Sequence, residues 1–221
     1  VLVDGNVDTK KITPTFGMNL RLEGIDIVES ITEIDMLKGF TPILKTLVGT
    51  FTTKFDFSGD MTKDLLPILT TLDGSGLANI IQAKLEPAKM PLTNSLNNQL
   101  DIIDLNNFNL NDVKTTFEFE NGNINVNPLS FEVEDIKVNL QGKHSLNNTM
   151  DYQIKLNLPA KYFGNKIGSQ LAKLNKTSLD EMVVDLPLSI TGKLTQPNIN
   201  INTQAAVQDL SNQIIKKQKG E

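Results

Sequence analysis

Apolar and polar residues alternate along residues 113–158, and alternation of this kind predicts half-buried β-strands. The aromatic positions share one parity up to Asn121-Gly122, a dipeptide that suits a two-residue type I′ turn because both residues tolerate positive φ. The resulting hairpin has its apolar side chains on one face. The predicted pairs are Phe119 with Ile124 and Phe117 with Val126.

The apolar positions change parity at Pro128. Proline donates no backbone N–H, so a proline at a parity change indicates a bulge or an edge position. A two-residue turn at Glu134-Asp135 and a three-residue loop over 147–149 then complete a predicted meander of four antiparallel strands. The predicted pairs are Val133 with Ile136, Phe131 with Val138, Leu129 with Leu140, Leu140 with Leu156, Val138 with Leu158 and His144 with Tyr152. The apolar face of this meander must be covered, either by protein or by a ligand.

Similar patterns extend the prediction to the rest of the chain. Alternation predicts strands over residues 16–27, 51–59, 77–85 and 184–190, and turn residues are expected over 73–76 and at Gln196-Pro197. Helical spacing predicts a helix over 31–48 that Pro42 breaks, a helix over 61–72 weakened by Pro67, and helices over 91–103, 167–174 and 207–214. No low-complexity linker divides the chain, so we expect one continuous unit over residues 1–221.

An apolar-x-apolar-x-Gly pattern occurs four times, at Gly24, Gly59, Gly142 and Gly192. Each glycine has the parity of the apolar residues, so it is expected on the buried face, where it permits a bend. The alternative is that these glycines simply end strands. We predict an α+β, β-dominated fold: a curved antiparallel β-sheet, shaped as a gutter or groove, with several short amphipathic helices packed on it or capping it.

The composition excludes several classes of function. Of the 221 residues, 39% are hydrophobic and 21% are charged, which is typical of a folded protein with a sizeable core. The net charge of -5 and the single arginine, Arg21, argue against nucleic-acid binding, because phosphate and guanine recognition favours arginine forks. Cysteine is absent, which excludes disulfides and zinc-thiolate sites. No apolar run is long enough to span a bilayer as a helix.

Candidate catalytic and metal-binding residues are few. His144 is the only histidine, which excludes a histidine-pair metal site and the usual catalytic triad, and we expect a structural role for it near a strand end. We predict no enzymatic activity, no cofactor and no metal. The acidic pairs, expected on solvated faces, are Glu132/Glu134 and Asp180/Glu181. The turn formers, for which a loop calcium site is the alternative, are Asp60, Asp73, Asn121 and Asn147. The lysines near the C-terminus, Lys216, Lys217 and Lys219, are expected at a solvated helix end, with anionic lipid head groups as the alternative partner.

The succession of these elements resembles the C-terminal region of the AsmA family, periplasmic proteins related to TamB. The residues that carry the resemblance include GTFTTKFDFSGDMTKDLLPIL at 49–69, LDGSGLANIIQAKL at 72–85 and the meander up to Pro159. The best-matching part is therefore 49–159, about half of the chain. The resemblance is one of element order, and it carries no catalytic or metal-binding residues.

The resemblance implies a periplasmic protein of a diderm bacterium, anchored to the inner membrane by a helix that precedes these residues. The sequence begins at Val1 without an initiator methionine, so we expect an excised segment. The implied function is transport of phospholipid between the inner and outer membranes and support of outer-membrane integrity. TamB relatives are also tied to outer-membrane protein assembly. The alternative is therefore a non-catalytic module that recruits an outer-membrane protein or another partner by β-strand addition.

The apolar face of the predicted sheet is the candidate site for phospholipid or another acyl lipid. The same residues are also natural candidates for core packing against the protein's own helices, and the two interpretations stay open at this point. The residues predicted to line a groove are Phe51, Phe55, Phe57, Phe117, Phe119, Val126, Val138, Leu140, Ile154 and Leu156.

Overall fold

The computed structural model describes residues 1–33, 47–86, 108–145, 149–163, 182–193 and 196–219. The helices predicted over 91–103 and 167–174 lie outside these residues, as does most of the broken helix predicted over 31–48. The described strands are β1 (Leu2–Asp8), β2 (Thr15–Asp26), β3 (Leu47–Asp60), β4 (Asp73–Leu85), β5 (Asn109–Glu120), β6 (Asn123–Val133), β7 (Ile136–Ser145), β8 (Thr149–Pro159), β9 (Val183–Lys193) and β10 (Gln196–Ile201). The described α-helices are α1 (Ile27–Glu33) and α2 (Thr203–Lys219).

The ten strands form one antiparallel sheet in which each strand pairs with its neighbours along the chain, from β1 to β10. The sheet is open, with β1 and β10 as its outer strands. The β-dominated antiparallel fold is therefore confirmed, with more strands than the sequence pattern predicted. Two strands were missed: β1, whose apolar positions are separated by Asp4, Gly5 and Asn6 and give little alternation, and β10, for which only a turn was predicted.

The hairpin between β5 and β6 has the predicted register. Asn121 and Gly122 have φ angles of 49° and 73°, as a type I′ turn requires, and Phe119 pairs with Ile124. Phe117 pairs with Val126, also as predicted. The next turn is confirmed too, with Val133 paired to Ile136, Phe131 to Val138 and Leu129 to Leu140.

A bulge lies at Pro128, as the parity change predicted. The register of β6 against β7 shifts between Val126 and Leu129. On the other side of β6, the ladder with β5 covers only Phe117–Glu120 against Asn123–Val126. Beyond that point β5 continues beside β4 and β6 continues beside β7. We call this short ladder the seam of the sheet.

The predicted register between β7 and β8 is wrong by two residues. Tyr152 pairs with Gly142, and His144 pairs with Met150. Leu140 and Val138 likewise pair with Ile154 and Leu156. A Cβ atom at Gly142 would lie 2.7 Å from the Cα atom of Tyr152, so only glycine leaves room for the tyrosine at this crossing. A shift of two residues keeps every side chain on its predicted face.

Two predicted turns are strand residues. Residues 73–76 begin β4, and Gly76 lies between Phe55 and Phe117 in neighbouring strands. A Cβ atom at Gly76 would lie 2.3 Å from the ring of Phe117, so this glycine provides space for an aromatic ring and does not form a turn. Gln196 and Pro197 begin β10, an outer strand, where proline need not donate a ladder hydrogen bond.

The helix predicted over 61–72 is also wrong, as is the helical assignment of Leu47 and Val48, which begin β3. Residues 61–72 contain only a short 3₁₀ turn, Leu69–Thr71. Pro67 disfavours a continuous helix there, and Leu65 has a φ of 59°, which lies outside the right-handed helical region.

The recurring glycines do not share one role. Gly24, with a φ of 59°, lies where the register of β2 against β3 shifts between Leu22 and Ile25, which fits a bend. Gly59 and Gly192 are each the penultimate residue of a strand, which fits the alternative interpretation.

One face of the sheet is apolar across all ten strands. Directly paired residues lie on the same face, so the pairing defines a continuous row from one outer strand to the other. This row consists of Val3, Leu20, Phe55, Gly76, Phe117, Val126, Gly142, Tyr152, Ile190 and Ile199.

The buried side chains on this face form two clusters. The phenylalanine cluster lies on β2 to β6, α1 and the connection between β3 and β4, and consists of Phe16, Leu20, Leu22, Ile27, Ile31, Leu47, Phe51, Phe55, Phe57, Met61, Leu72, Ala83, Phe117, Phe119 and Ile124. The C-terminal cluster lies on β7 to β9 with α2 and consists of Ile136, Val138, Met150, Tyr152, Leu156, Leu158, Ala160, Phe163, Met182, Val184, Leu186, Leu188, Ile190, Ala206, Leu210 and Ile214. Leu85 packs against both clusters, which links them.

Candidate functional site

The ten residues predicted to line a groove lie on the apolar face, but they are divided between the two clusters. The five phenylalanines belong to the phenylalanine cluster. Val138 and Leu156 belong to the C-terminal cluster, and Val126, Leu140 and Ile154 pack against it. Seven of the ten are therefore buried by the protein itself, and three are only partly buried.

The phenylalanine rings form a connected set of contacts. Phe55 lies 5.4 Å from Phe117 and 6.2 Å from both Phe57 and Phe119, measured between ring centroids. Phe117 and Phe119 meet at 5.6 Å with an interplanar angle of 88°, the edge-to-face geometry that aromatic rings prefer. Each such pair contributes about 0.5–1.5 kcal/mol beyond the burial of its area. Phe55, Phe57 and Phe119 each contact three other rings and together form the centre of this packing.

The described cover of the phenylalanine cluster is small. Ile27 and Ile31 of the seven-residue helix α1 are buried in it. The connection between β3 and β4 adds Met61 and Leu72 at its two ends. The one fully buried polar side chain of β3, Thr53, donates a hydrogen bond to the carbonyl of Leu77 at 2.9 Å, so its hydroxyl is satisfied.

The C-terminal cluster is covered by a longer helix. Ala206, Leu210 and Ile214 of α2 are buried in it, spaced four residues apart so that they share one side of the helix. The helix begins after Asn202, whose Oδ1 accepts a hydrogen bond from the backbone N–H of Ala205 at 3.0 Å. This is the geometry of an N-cap. The cluster is thereby closed by the protein's own chain.

A strip of partly buried apolar side chains lies on the strands between the two helices. We call it the central strip; its members are Val126, Leu129, Phe131, Leu140 and Ile154. Leu129 and Phe131 were not among the predicted lining residues, although their alternation had already been used to predict the pairing of β6. The strip lies next to the seam, on the strands where β6 has left β5 and pairs only with β7.

A buried polar pair lies beside the C-terminal cluster. The Nδ1 atom of His144 and the hydroxyl of Tyr152 are 2.7 Å apart, and both side chains are buried. Burial lowers the pKa of His144 to about 4 and raises the pKa of Tyr152, because a low-dielectric environment disfavours both charged forms. His144 is therefore neutral at pH 7, and its burial, not its position at a strand end, sets its properties.

A second polar group fixes the connection that follows β8. Asp135, in the turn between β6 and β7, accepts a hydrogen bond from the hydroxyl of Tyr162 at 2.8 Å and forms an ion pair with Lys161. The hydrogen bond from Lys161 lowers the pKa of Asp135. These contacts hold the 3₁₀ turn Ala160–Phe163 against the sheet, where Phe163 is buried in the C-terminal cluster.

The opposite face of the sheet is polar. A ladder of side chains crosses β6 to β9, with Ser130 donating to Asn139 at 2.6 Å and Asn139 donating to Asn157 at 2.9 Å. Asn157 in turn contacts Asp185, which also pairs with Lys155 at 2.8 Å. An open depression of about 440 Å³ lies beside this ladder. Its lining includes the polar residues Gln141, Gln153, Ser189 and Asn200 and also Leu129, Leu140, Ile154 and Leu188 of the same strands. Polar side chains thus occupy the face that the pattern assigned to solvent.

The described residues contain neither a metal-binding cluster nor a membrane-spanning helix. No group of three or more histidine, cysteine, aspartate or glutamate side chains is arranged to hold a metal ion in the described ranges. In the same residues, no helix is long and apolar enough to cross a membrane.

Comparison with known proteins gives no family for this chain. No protein-family model matches the sequence, and no curated protein or solved structure matches it. The functional interpretation depends on the sequence pattern and on the geometry of the apolar face.

Proposed function

We propose that this chain is a lipid-binding segment of an AsmA-like protein that moves phospholipid between the inner and outer membranes and supports outer-membrane integrity. The observation that carries the proposal is the apolar face, which continues through all ten strands and narrows to the partly buried central strip between the parts covered by α1 and α2. An acyl chain lying on this strip would complete the burial of side chains that the protein leaves partly exposed.

The energetics favour such a surface. Exposing one methylene group to water costs about 0.8 kcal/mol, so an acyl chain of about 15 methylenes costs on the order of 12 kcal/mol. An apolar surface that shields part of the chain lowers this cost at every step of transfer. Strands of 10 to 12 residues, such as β5 to β8, extend over roughly 35 Å and are long enough to cover one acyl chain.

The finer features of the proposed fold serve the same function. We infer a gutter-like curvature, supported by the register shifts that leave an extra residue in β2, β4 and β6, because bulges bend strands. In this arrangement α1 and α2 are amphipathic caps over the two parts of the gutter, and the central strip is its open stretch. We propose a periplasmic location with anchoring to the inner membrane through a segment outside these residues, no catalytic role and no nucleic-acid partner.

Lipid binding is tested by native mass spectrometry of the purified chain beside mass spectrometry of its organic extract. We expect near-stoichiometric glycerophospholipid in the wild type. The paired substitutions Leu140→Asp and Ile154→Asp, which place charge in the central strip, should reduce the bound lipid at least about tenfold, since an unpaired carboxylate next to an acyl chain is strongly disfavoured.

The matched control is the pair Gln141→Asp and Gln153→Asp. These two residues are directly paired in the same strands and point to the polar face. The control should retain the lipid, and circular dichroism should give the same fold for both double variants. Wild-type protein that stays free of lipid after incubation with liposomes would overturn the proposal.

A specific observation favours a second candidate function, recruitment of a partner by β-strand addition. All seven residues of β1 are exposed, and among the described strands none pairs with its outer edge. Val3 and Val7 lie on the apolar face beside the buried residues Leu20 and Phe16, yet they are 56% and 52% exposed. An added strand would cover both valines and continue the apolar row.

The test of this candidate is titration with a partner-derived outer-membrane protein segment of alternating sequence, followed by amide hydrogen exchange. Binding should protect the amides of β1, and Val3→Lys with Val7→Lys should abolish that protection, because lysine on an outer strand opposes pairing. Unchanged exchange in the wild type would exclude strand addition at β1.

A further inference from the structure

Two neighbouring connections at one end of the sheet expose aliphatic side chains. The first is residues 9–14 between β1 and β2, and the second is residues 61–72 between β3 and β4. They are joined where the backbone N–H of Met61 donates to the carbonyl of Pro14 at 2.8 Å. Ile12 is fully exposed, and Leu65 and Leu66 are 46% and 62% exposed. We call Ile12, Leu65 and Leu66 the aliphatic tip.

The apolar residues of the longer connection, residues 61–72, are buried at its ends and exposed at its middle. Met61 and Leu72, at its ends, are buried in the phenylalanine cluster. Leu65 and Leu66, at its middle, face solvent. Folding of this connection therefore does not require apolar residues at its middle, since the two buried ends already attach it to the core.

The conformation of the exposed leucines is held by several hydrogen bonds. Leu65 has a φ of 59°, a left-handed conformation that is unfavourable for a residue with a branched side chain. The backbone of Thr62 bonds with both leucines, donating to the carbonyl of Leu66 at 2.8 Å and accepting from the N–H of Leu65 at 3.0 Å. The Thr62 hydroxyl also accepts a bond from the N–H of Leu66 at 3.2 Å. The turn is fixed in a strained form that keeps both leucines in water.

Lysines outnumber carboxylates on the two connections themselves. They contain Lys10, Lys11, Lys63 and Asp64, a net charge of +2, and all four side chains are exposed. The strand ends that flank them carry Asp8, Asp60 and Asp73. Lysines beside exposed aliphatic side chains match the boundary of a bilayer, where the ammonium groups reach the phosphates and the alkyl groups enter the acyl region.

From these observations we propose that the aliphatic tip inserts into the surface of a phospholipid bilayer and holds this end of the sheet against it. Three aliphatic residues on two turns suit a fluid acyl region, which needs no complementary shape. A stable protein partner would require a packed area of about 800 Å² on each side. This contact is separate from lipid binding by the central strip, and each is tested without the other.

Fluorescence provides the test, because the chain contains no tryptophan. The single variants Ile12→Trp and Leu66→Trp place one reporter on each connection, and Leu77→Trp on β4 replaces a residue of the polar face that is 44% exposed. The probe is a suspension of phosphatidylcholine vesicles with a minor fraction of phosphatidylglycerol. We expect a blue shift and quenching by brominated acyl chains for the two tip variants and neither effect for Leu77→Trp.

A second measurement keeps the proposal independent of the reporter. The triple variant Ile12→Ser, Leu65→Asn and Leu66→Ser removes the aliphatic groups, and asparagine tolerates the left-handed conformation at position 65. Its co-flotation with the same vesicles should fall at least about tenfold relative to the wild type, as expected for loss of three apolar side chains. An unshifted spectrum for both tip variants, or equal flotation of the wild type and the triple variant, would overturn the proposal.

Discussion

The two apolar clusters lie on the same face of the sheet but are packed and covered in different ways. The phenylalanine cluster consists largely of rings that pack on one another, and its buried polar side chain, Thr53, does not titrate. The C-terminal cluster is mainly aliphatic, is closed by α2, and lies beside the titratable pair of His144 and Tyr152. One part of the face therefore depends on aromatic interdigitation, whereas the other depends on the covering helix α2 and on a neutral histidine.

The largest loss in the free energy of unfolding is expected from Phe55→Ala, in the phenylalanine cluster. Phe55 contacts three other rings, so truncation leaves a cavity that the neighbouring rings cannot fill. We expect a loss of about 3–5 kcal/mol in the free energy of unfolding, measured by urea denaturation. The C-terminal cluster should be affected less, so amide exchange in β9 should increase less than exchange in β3. Equal increases in both strands would mean that the clusters unfold as one unit.

Acid should destabilise the C-terminal cluster more than the phenylalanine cluster. The pKa of His144 is about 4 in the folded protein and near 6.5 in the unfolded chain, so the unfolded chain binds the proton more readily. This contribution to stability is complete above pH 6.5 and is lost as the pH falls, by about 3 kcal/mol at pH 4. Stability curves between pH 7 and pH 4 measure it.

His144→Gln is the control for this pH dependence, since it removes the titrating group. The variant should have a flatter profile over the same interval. The lowered pKa of Asp135 acts in a lower window, below its ordinary value of 3.8, because a carboxylate with a depressed pKa loses its contribution only as it becomes protonated. A profile as steep in His144→Gln as in the wild type would contradict the assignment.

A smaller effect is expected from Gly76→Ala in the phenylalanine cluster. The added Cβ would lie 2.3 Å from the ring of Phe117, so the ring must move. We expect a destabilisation of about 1–3 kcal/mol, measured by thermal unfolding. Ala78→Gly, two residues along the same strand and face, is the comparison variant, since it should cost only about 1 kcal/mol through backbone entropy. A wild-type melting temperature for Gly76→Ala would show that the ring is free to move.

The smallest loss of stability is expected at the N-terminus of α2, the helix that covers the C-terminal cluster. Asn202→Ala removes the side chain that caps α2 and should cost about 1 kcal/mol. Because α2 covers only the C-terminal cluster, amide exchange should rise in α2 and β9 and remain unchanged in β2 to β4. Asn202→Asp, which keeps the acceptor oxygen, should restore protection. Failure of that restoration would mean that the N-cap is not the stabilising contact.

Much of the sheet could be predicted from sequence because alternation is a local signal. The turn at Asn121-Gly122 and the bulge at Pro128 are also encoded by single residues with strong backbone preferences, and both were predicted correctly. The register of β7 against β8 was predicted wrongly, because it depends on which residue of β7 leaves room for Tyr152. Only the three-dimensional fit of Gly142 against that ring selects the pairing.

The candidate site was predictable as a face but not as a groove. Parity placed Phe117 and Leu140 on one face correctly, because paired strands preserve parity. Burial is a non-local property, so the pattern could not distinguish Phe117, which the other rings enclose, from Leu140, which stays partly exposed. The strand β1 was missed because its two valines are separated by polar residues and glycine.

The seam between β5 and β6 has a mechanical consequence. Four residues of each strand connect the two halves of a ten-stranded sheet, and beyond them Asn127 reaches across to the hydroxyl of Thr116 at 3.0 Å. Under a load applied along the sheet, this line is the interior junction that yields first. Two apolar side chains carry contacts across this line: Ile124 of β6 is buried in the phenylalanine cluster, and Leu85 of β4 packs against both clusters. The central strip lies wholly on β6 to β8, so it stays with the C-terminal half of the sheet when the seam opens.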